Sequence, residues 1–418
     1  MILSKKILLI GYNYSPELTG IGKYSGEMME WLSKKGHDCS VITSYPYYPQ
    51  WKVQAPYQKR KIWFMKEIVK TDSKKHPIKV YRCPMYVPKK PSGMKRIISD
   101  LTFFLSASVM LLYFFLKKRQ ALVISVAPTF LAGVLGAFYK LVKKSKHIHH
   151  IQDLQIEAAT KLGLIKSKFL INILFCIEAF IFKNSDVVSS ISLSMIDRVE
   201  QKCNKNVFYF PNWTDNSLFY PIDNKTALKQ KFGYNPEDKI IVYSGAIGEK
   251  QGLEIILLAA EEFKNNKQLK FLICGSGPYQ LVLKEKAESM KLTNISFLPL
   301  QPKAIFNDFL NMADIHLVIQ KADASDLVMP SKLTTILSVG GIALITANKN
   351  TDLYKIVNTH EMGHLVKPED VNALISGISH LTSNSSLQAL RNNAHLYATK
   401  FLSLDHIMED FENRNITN

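Results

Sequence analysis

The sequence predicts an α/β fold of two doubly wound parallel-sheet domains facing each other across a cleft. Two observations carry that prediction. Short apolar runs alternate with stretches of helical spacing along the whole chain, the pattern of parallel strands joined by crossover helices. The length, 418 residues, exceeds what one hydrophobic core usually holds, so the runs divide between two cores. The boundaries fall at 1–212 for the first domain and 213–400 for the second. Residues 401–418 read as a C-terminal helix crossing back to the first.

The first strand is Ile7-Leu8-Leu9-Ile10, an apolar run of the buried kind. A loop follows, Asn13-Tyr14-Ser15-Pro16-Glu17-Leu18-Thr19-Gly20-Ile21-Gly22-Lys23-Tyr24, and then helical spacing from Ser25 to a stop at Lys34-Lys35-Gly36. Gly20 and Gly22 allow close approach of a ligand to the backbone, and Lys23 adds a positive charge. The loop is not the G-x-G-x-x-G dinucleotide fingerprint, because Ser25 stands at its third glycine. That speaks against a nucleotide-cofactor oxidoreductase.

Residues 39–43 read as the second strand and residues 78–82 as the third. Between them, Tyr45-Pro46-Tyr47-Tyr48-Pro49-Gln50-Trp51 offers flat rings on a proline-set backbone, suited to stacking on sugars. Residues 101–116 carry no charge and are flanked by Lys95-Arg96 and Lys117-Lys118-Arg119. A spanning helix needs about 20 apolar residues, so this run suits a helix lying at an anionic surface better. A core helix packed on the sheet is the alternative.

Residues 121–126 and 147–152 are two more strands. His147, His149 and His150 invite a metal reading, yet alternation puts His150 on the opposite face from the other two, and no further ligand is evident. No metal is expected. Asp153 ends that strand, at the edge where open α/β sheets carry their chemistry; helix capping is its plainer role. Residues 186–191 and 206–210 close the half, and residues 211–238 read as a crossing and linker.

The second half repeats the pattern, with strands at 240–244, 271–274, 295–298, 315–320, 342–346 and 365–366. Three of its loops are built for a diphosphate. Gly245-Ala246-Ile247-Gly248-Glu249-Lys250 joins glycines to a lysine, and Gly275-Ser276-Gly277 gives a flat approach. Pro330-Ser331-Lys332 opens a helix whose first backbone N–H groups are free, with a lysine beside them.

Charge is distributed unevenly. Residues 1–190 hold 30 Lys and Arg against 11 Asp and Glu, whereas the rest of the chain holds 23 against 24. The whole net +18 therefore belongs to the first half, which points to an anionic partner surface. Five scattered cysteines without a C-x-x-C pair fit a reducing compartment. No signal peptide is read ahead of the first strand, so a cytoplasmic chain is expected.

Taken together, Tyr14 to Tyr24, Tyr47-Tyr48-Pro49-Gln50-Trp51, His150-Ile151-Gln152-Asp153, Phe210-Pro211-Asn212-Trp213, Gly248-Glu249-Lys250-Gln251-Gly252 and Pro330-Ser331-Lys332-Leu333 resemble family 4 glycosyltransferases. The resemblance implies a GT-B fold of two Rossmann-like domains, retention of anomeric configuration, and no cofactor. The donor would be a nucleotide-diphospho-sugar, GDP- or UDP-linked, carrying fucose or a related sugar. The acceptor would be a polyprenyl-diphosphate-linked saccharide in exopolysaccharide, capsule or O-antigen synthesis, met by a protein peripheral to the inner face of the plasma membrane. By position, Gly20, Gly22, Lys23, Gly245, Glu249, Lys250, Gly275, Pro330, Ser331 and Lys332 would bind the donor. Asp153 or Glu17 would orient or deprotonate the acceptor hydroxyl. The chain departs from the family at Ala246, where many members have arginine, and at Thr335, where many have a ribose-holding glutamate. Phosphate neutralisation then rests on Lys250 and Lys332. The rival reading is a basic α/β protein that binds nucleic acid or membrane without transferring anything; steep salt dependence on a duplex would favour the nucleic-acid form.

Overall fold

The computed structural model describes residues 4–17, 20–71, 76–154, 156–157, 160, 167–322, 330–384 and 387–417, apart from the side chain of Lys250. Leu18 and Thr19 of the first loop lie outside them. The chain divides into two compact units, Met1–Pro211 with Met408–Asn418, and Asn212–Ile407.

The strands of the first unit are β1 (Lys6–Ile10), β2 (Asp38–Ser44), β3 (Met65–Val69), β4 (Ile78–Cys83), β5 (Leu122–Ala127), β6 (Lys146–Ile151), β7 (Val187–Ser190) and β8 (Val207–Tyr209). They form one sheet in the order β3-β4-β2-β1-β5-β6-β7-β8. All neighbours are parallel except β3, which runs antiparallel to β4. Chain order reverses between β1 and β5, where Ile7 pairs with Leu122. The central strands are buried on both faces, which is why they read as unbroken apolar runs. The sequence gives no such run for β3, whose residues are half-buried or exposed, so the strand at 78–82 is the fourth and not the third.

Helices α1 (Gly20–Lys34), α2 (Gly93–Phe115), α3 (Ala132–Lys143), α4 (Lys168–Lys183) and α5 (Leu193–Cys203) pack around this sheet. Here α1 starts at Gly20, ahead of the expected Ser25, and α2 starts at Gly93. The chain's last residues belong to the same unit: Phe411 stacks on Phe210 with ring centroids 4.6 Å apart, and the His37 and Glu412 side chains meet at 2.8 Å.

The second unit opens with α6 (Lys225–Lys231), capped by the Asn224 side chain, which accepts from Ala227 N–H. Phe219 and Leu228 are buried in a core cluster of this unit. Residues 211–238 are thus an integral part of a domain, not only a linker. The strands are β9 (Lys239–Ala246), β10 (Leu269–Ser276), β11 (Ile295–Leu298), β12 (Ile315–Val318), β13 (Ala343–Thr346) and β14 (His364–Val366). All are parallel, in the order β11-β10-β9-β12-β13-β14. Helices α7 (Glu254–Glu262), α8 (Gln280–Ser289), α9 (Lys303–Met312), α10 (Ser331–Ser338), α11 (Asp352–Thr359), α12 (Val371–Ser383), α13 (Gln388–Phe401) and α14 (Leu404–Glu412) complete the chain. The switch in strand order here lies between β9 and β12.

Candidate active site

Open parallel sheets bind ligands at the carboxyl ends of the strands, where strand order switches. In the second unit that place is the end of β9 and the chain leaving β12. Strand β9 runs in register with β10 to its last residue, pairing Gly245 with Gly275 and Ala246 with Ser276. A Cβ on Gly275 would stand 1.8 Å from the Gly245 carbonyl oxygen, which no side chain could survive. That glycine is therefore required by strand packing alone. The Tyr243 hydroxyl donates to the Ala246 carbonyl at 2.7 Å and ties the strand end to its own last side chain.

Lys332 reaches this point from the first turn of α10. Pro330 is the N-cap of that helix and Thr335 Oγ1 donates back to the Lys332 carbonyl at 3.0 Å, while among the described residues no side chain caps the first turn. The Lys332 Nζ lies 3.7 Å from the centroid of the Tyr243 ring. A Cβ built on Gly245 would make ordinary contact with the same Nζ at 3.5 Å, so the backbone φ of +149°, and not the space, favours glycine there. Among the described residues Nζ has no hydrogen-bond partner although it is buried. Burial alone pushes its pKa down to about 7. A ring face returns only about 0.5–2 kcal/mol to a cation, less than desolvating a charge costs.

Ser276 Oγ, one residue past Gly275, is likewise buried without a partner among the described residues. Tyr243 and Ser276 were not singled out from the sequence. A tyrosine inside an apolar strand reads as core, and only the register shows what it faces. Ser331 is exposed, and Glu249 is exposed at the start of a 3₁₀ turn whose Gln251 Oε1 accepts from Gly248 N–H at 3.1 Å. Lys250 lies in the same turn, its side chain outside the described residues.

The first unit holds the remaining candidates. Gly20, Gly22 and Lys23 sit in the first turn of α1 instead of in a loop, Gly20 at φ +63°. A Cβ on Gly22 would fall 2.5 Å from Glu17 Oε2 and 2.7 Å from Glu17 Cβ. The space a side chain would take at Gly22 is filled by Glu17, so packing by itself calls for glycine there. The Lys23 ammonium lies 4.8 Å from the Tyr24 ring.

Glu17 is buried, and its oxygens are engaged. Oε1 accepts from the backbone N–H of Tyr47 at 3.0 Å and of Tyr48 at 2.9 Å, and Oε2 accepts from Asn13 Nδ2 at 2.9 Å. Burial raises its pKa to about 7 against the pull of those donors. The geometry makes Glu17 a clamp between the β1 and β2 loops, with three hydrogen bonds accepted from them. Beneath it, the fully buried Arg82 donates to the Ser15 carbonyl at 2.7 Å, the Ser44 carbonyl at 3.2 Å and Glu67 Oε2 at 3.0 Å.

Asp153 follows β6 and lines a cavity of about 20 Å³ with Ala127, Phe130, His149, Glu178 and Phe182. That volume holds about one water, not a sugar ring. His147 Nε2 and His149 Nδ1 both meet Ser125 Oγ at 2.8 Å, and His150 Nδ1 meets Ser189 Oγ at 3.0 Å. Burial lowers His147 to about 4 and His149 and His150 to about 3, so all three are neutral hydrogen-bonded core groups near pH 7. Among the described residues no group of three or more His, Cys, Asp or Glu could hold a metal ion.

Comparison with known proteins bears on the family and the fold. Residues 224–401 match the family model described as glycosyl transferases group 1. The chain is 38% identical over 418 residues to WcaI of Escherichia coli (strain K12), named as a colanic acid biosynthesis glycosyl transferase, covering 98% of this chain and 99% of that one. Among solved structures, sucrose-phosphate synthase from Thermosynechococcus elongatus superposes with a TM-score of 0.75 at 16% identity, covering 98% of both chains. HepE of Anabaena, solved in complex with UDP and glucose, gives 0.70 at 12% identity over 98% of this chain and 99% of that one. WaaG, a glycosyltransferase involved in lipopolysaccharide biosynthesis, gives 0.67 at 13% identity over 99% and 100%.

Proposed function

Because the chain belongs to the group 1 glycosyl transferases and has the GT-B fold, we propose that it is a retaining transferase of polysaccharide synthesis. It takes fucose or a related sugar from a GDP- or UDP-linked donor and passes it to a saccharide carried on a polyprenyl diphosphate. The protein works at the cytoplasmic face of the plasma membrane, without a metal or other cofactor.

One observation carries the donor half of this reading: the buried Lys332 ammonium at the strand switch of the second unit, without a hydrogen-bond partner among the described residues. When the bond between the sugar and the β-phosphate breaks, negative charge grows on the departing diphosphate. Stabilising that charge is the main catalytic task. Lys332 and the uncapped first turn of α10 supply a cation and backbone donors at one place. An anion beside Lys332 restores the proton that burial makes easy to lose. Thr335 is buried and bonded to its own helix backbone, so it is not placed to hold a ribose as a longer acidic side chain would.

On the acceptor side, Glu17 sets the aromatic loop at Tyr47 and Tyr48 and does not act as the base. Asp153 keeps its position at the end of β6 as the carboxylate candidate. A panel of UDP- and GDP-sugars, assayed for binding and for donor hydrolysis without acceptor, tests the reading. One nucleotide series should bind and turn over slowly. No binding by either series would remove it.

A further inference from the structure

We infer that α2, together with α3 and α4, forms a membrane-insertion face that lies flat in the headgroup region of an anionic bilayer. The inference deepens the reading of a lipid-carried acceptor and names the partner surface. Helix α2 carries apolar residues on both its packed and its outer side. One side, Phe103, Ala107, Leu111 and Phe114, is buried against Tyr81, Val123 and Leu135 in the core of the first unit. The other side presents Ile98, Leu101, Leu105, Val109, Leu112 and Leu116, each between 42% and 87% exposed. Steps of three and four place those six on one stripe. A soluble helix would carry polar residues there.

The neighbouring helices continue the patch. Helix α3 packs against both α2 and α4, and adds exposed Phe138, Leu141 and Val142. Helix α4 adds exposed Phe169 and Phe180, with the Phe138 and Phe180 rings 6.0 Å apart across the two helices. An exposed apolar area of this extent marks an interaction site.

Charge decides between occupants. The ends of α2 carry exposed Lys95 and Arg96 at one side and Lys117, Lys118 and Arg119 at the other. No acidic residue lies on its exposed stripe. A second copy of this chain would bring like charges together, whereas an anionic leaflet meets the rim with opposite charge and the stripe with acyl chains. The helix is 23 residues and apolar enough to span. Its packed inner side forbids that, because spanning would tear Phe103 and Leu111 from the core. It lies in the plane instead.

The test uses the full-length protein and vesicles without donor or acceptor. It should float with phosphatidylglycerol-containing vesicles at low salt and at least tenfold less with phosphatidylcholine alone. The double substitution Leu105→Glu with Val109→Glu touches only exposed positions, so donor hydrolysis in lipid-free buffer should stay at the wild-type level while flotation falls at least tenfold. A fluorophore at position 98, 105 or 116 should be quenched by brominated lipid at one shallow depth. Equal binding to both vesicle types, binding unaffected by the two glutamates, a depth graded along the helix, or a stable dimer covering the patch would each overturn the inference. Lipid-free donor hydrolysis reports on the transferase reading separately, so the two can fail independently.

Discussion

The ammonium of Lys332 stands 3.7 Å above the ring of Tyr243, buried and without a hydrogen-bond partner among the described residues. With the donor diphosphate at Lys332, as proposed, donor binding should depend on pH in one direction. In the free protein burial holds Lys332 at about 7, and a bound diphosphate must raise it. Below pH 7 the lysine is charged before and after binding, so affinity is constant. Above pH 7 binding takes up a proton, and affinity should fall by up to tenfold per pH unit until the bound-state pKa is reached. A nucleotide-sugar diphosphate does not itself titrate in that range. Calorimetry of the binding UDP- or GDP-sugar in two buffers of different ionisation heat reads the proton directly. No proton uptake at pH 8 would show that Lys332 does not meet the phosphate.

Gly22 is expected to be a packing requirement. A Cβ there would lie 2.5 Å from Glu17 Oε2 and 2.7 Å from its Cβ, so Gly22→Ala must push Glu17 off Tyr47 and Tyr48. We expect a loss of about 1–3 kcal/mol in chemical denaturation. Glu17→Ala should cost about as much by leaving buried N–H groups unsatisfied. An unchanged midpoint for both would leave ligand approach as the reason for the glycine.

Ser125 joins two buried neutral histidines. Its single hydroxyl proton can go to one ring while the other ring donates to its oxygen. Ser125→Ala should therefore destabilise the protein by about 2–4 kcal/mol at pH 7.5, with two ring nitrogens orphaned. The pH sign follows from the lowered values, about 4 for His147 and about 3 for His149. The neutral pair contributes fully above the unfolded value near 6.5, and the contribution is lost as pH falls from there toward 3. Denaturant midpoints that stay flat from pH 7 to pH 4.5 would contradict this.

Metal independence is a property of the reaction and needs its own assay. With Lys332 and the α10 terminus as the groups that meet the diphosphate, a chelator should leave turnover within about twofold. Activity lost to chelator and restored by added Mg²⁺ or Mn²⁺ would overturn it.

Strands buried on both faces were legible from the sequence because nothing polar interrupts them: Leu8-Leu9-Ile10 and Ile240-Ile241-Val242 announce themselves. Strand β3 was not, since Lys66 and Glu67 sit in an edge strand that alternates between half-buried and exposed. The start of α1 was hidden because Gly20 and Gly22 read as loop residues. Glu17, whose side chain fills the space beside Gly22, is bonded to Tyr47 and Tyr48 of the next loop, and that contact is not written in the local pattern. The Pro330-Ser331-Lys332 helix start was legible from residue chemistry alone. The partner of Lys332 was not: Tyr243 comes from a strand almost ninety residues earlier, and only the sheet brings it under the ammonium.

The most direct measurement compares wild type with Lys332→Ala, in turnover and in donor affinity, using the nucleotide-sugar that the panel identifies. A charge-assisted contact is worth about 1.5–3 kcal/mol and more where charge grows in the transition state. Turnover should fall roughly ten- to several-hundred-fold, at about tenfold per 1.4 kcal/mol. The melting temperature should hold or rise, because the substitution removes a buried ammonium without a hydrogen-bond partner among the described residues. Wild-type turnover and affinity in a folded Lys332→Ala protein would contradict the assignment and move the diphosphate away from the switch between β9 and β12.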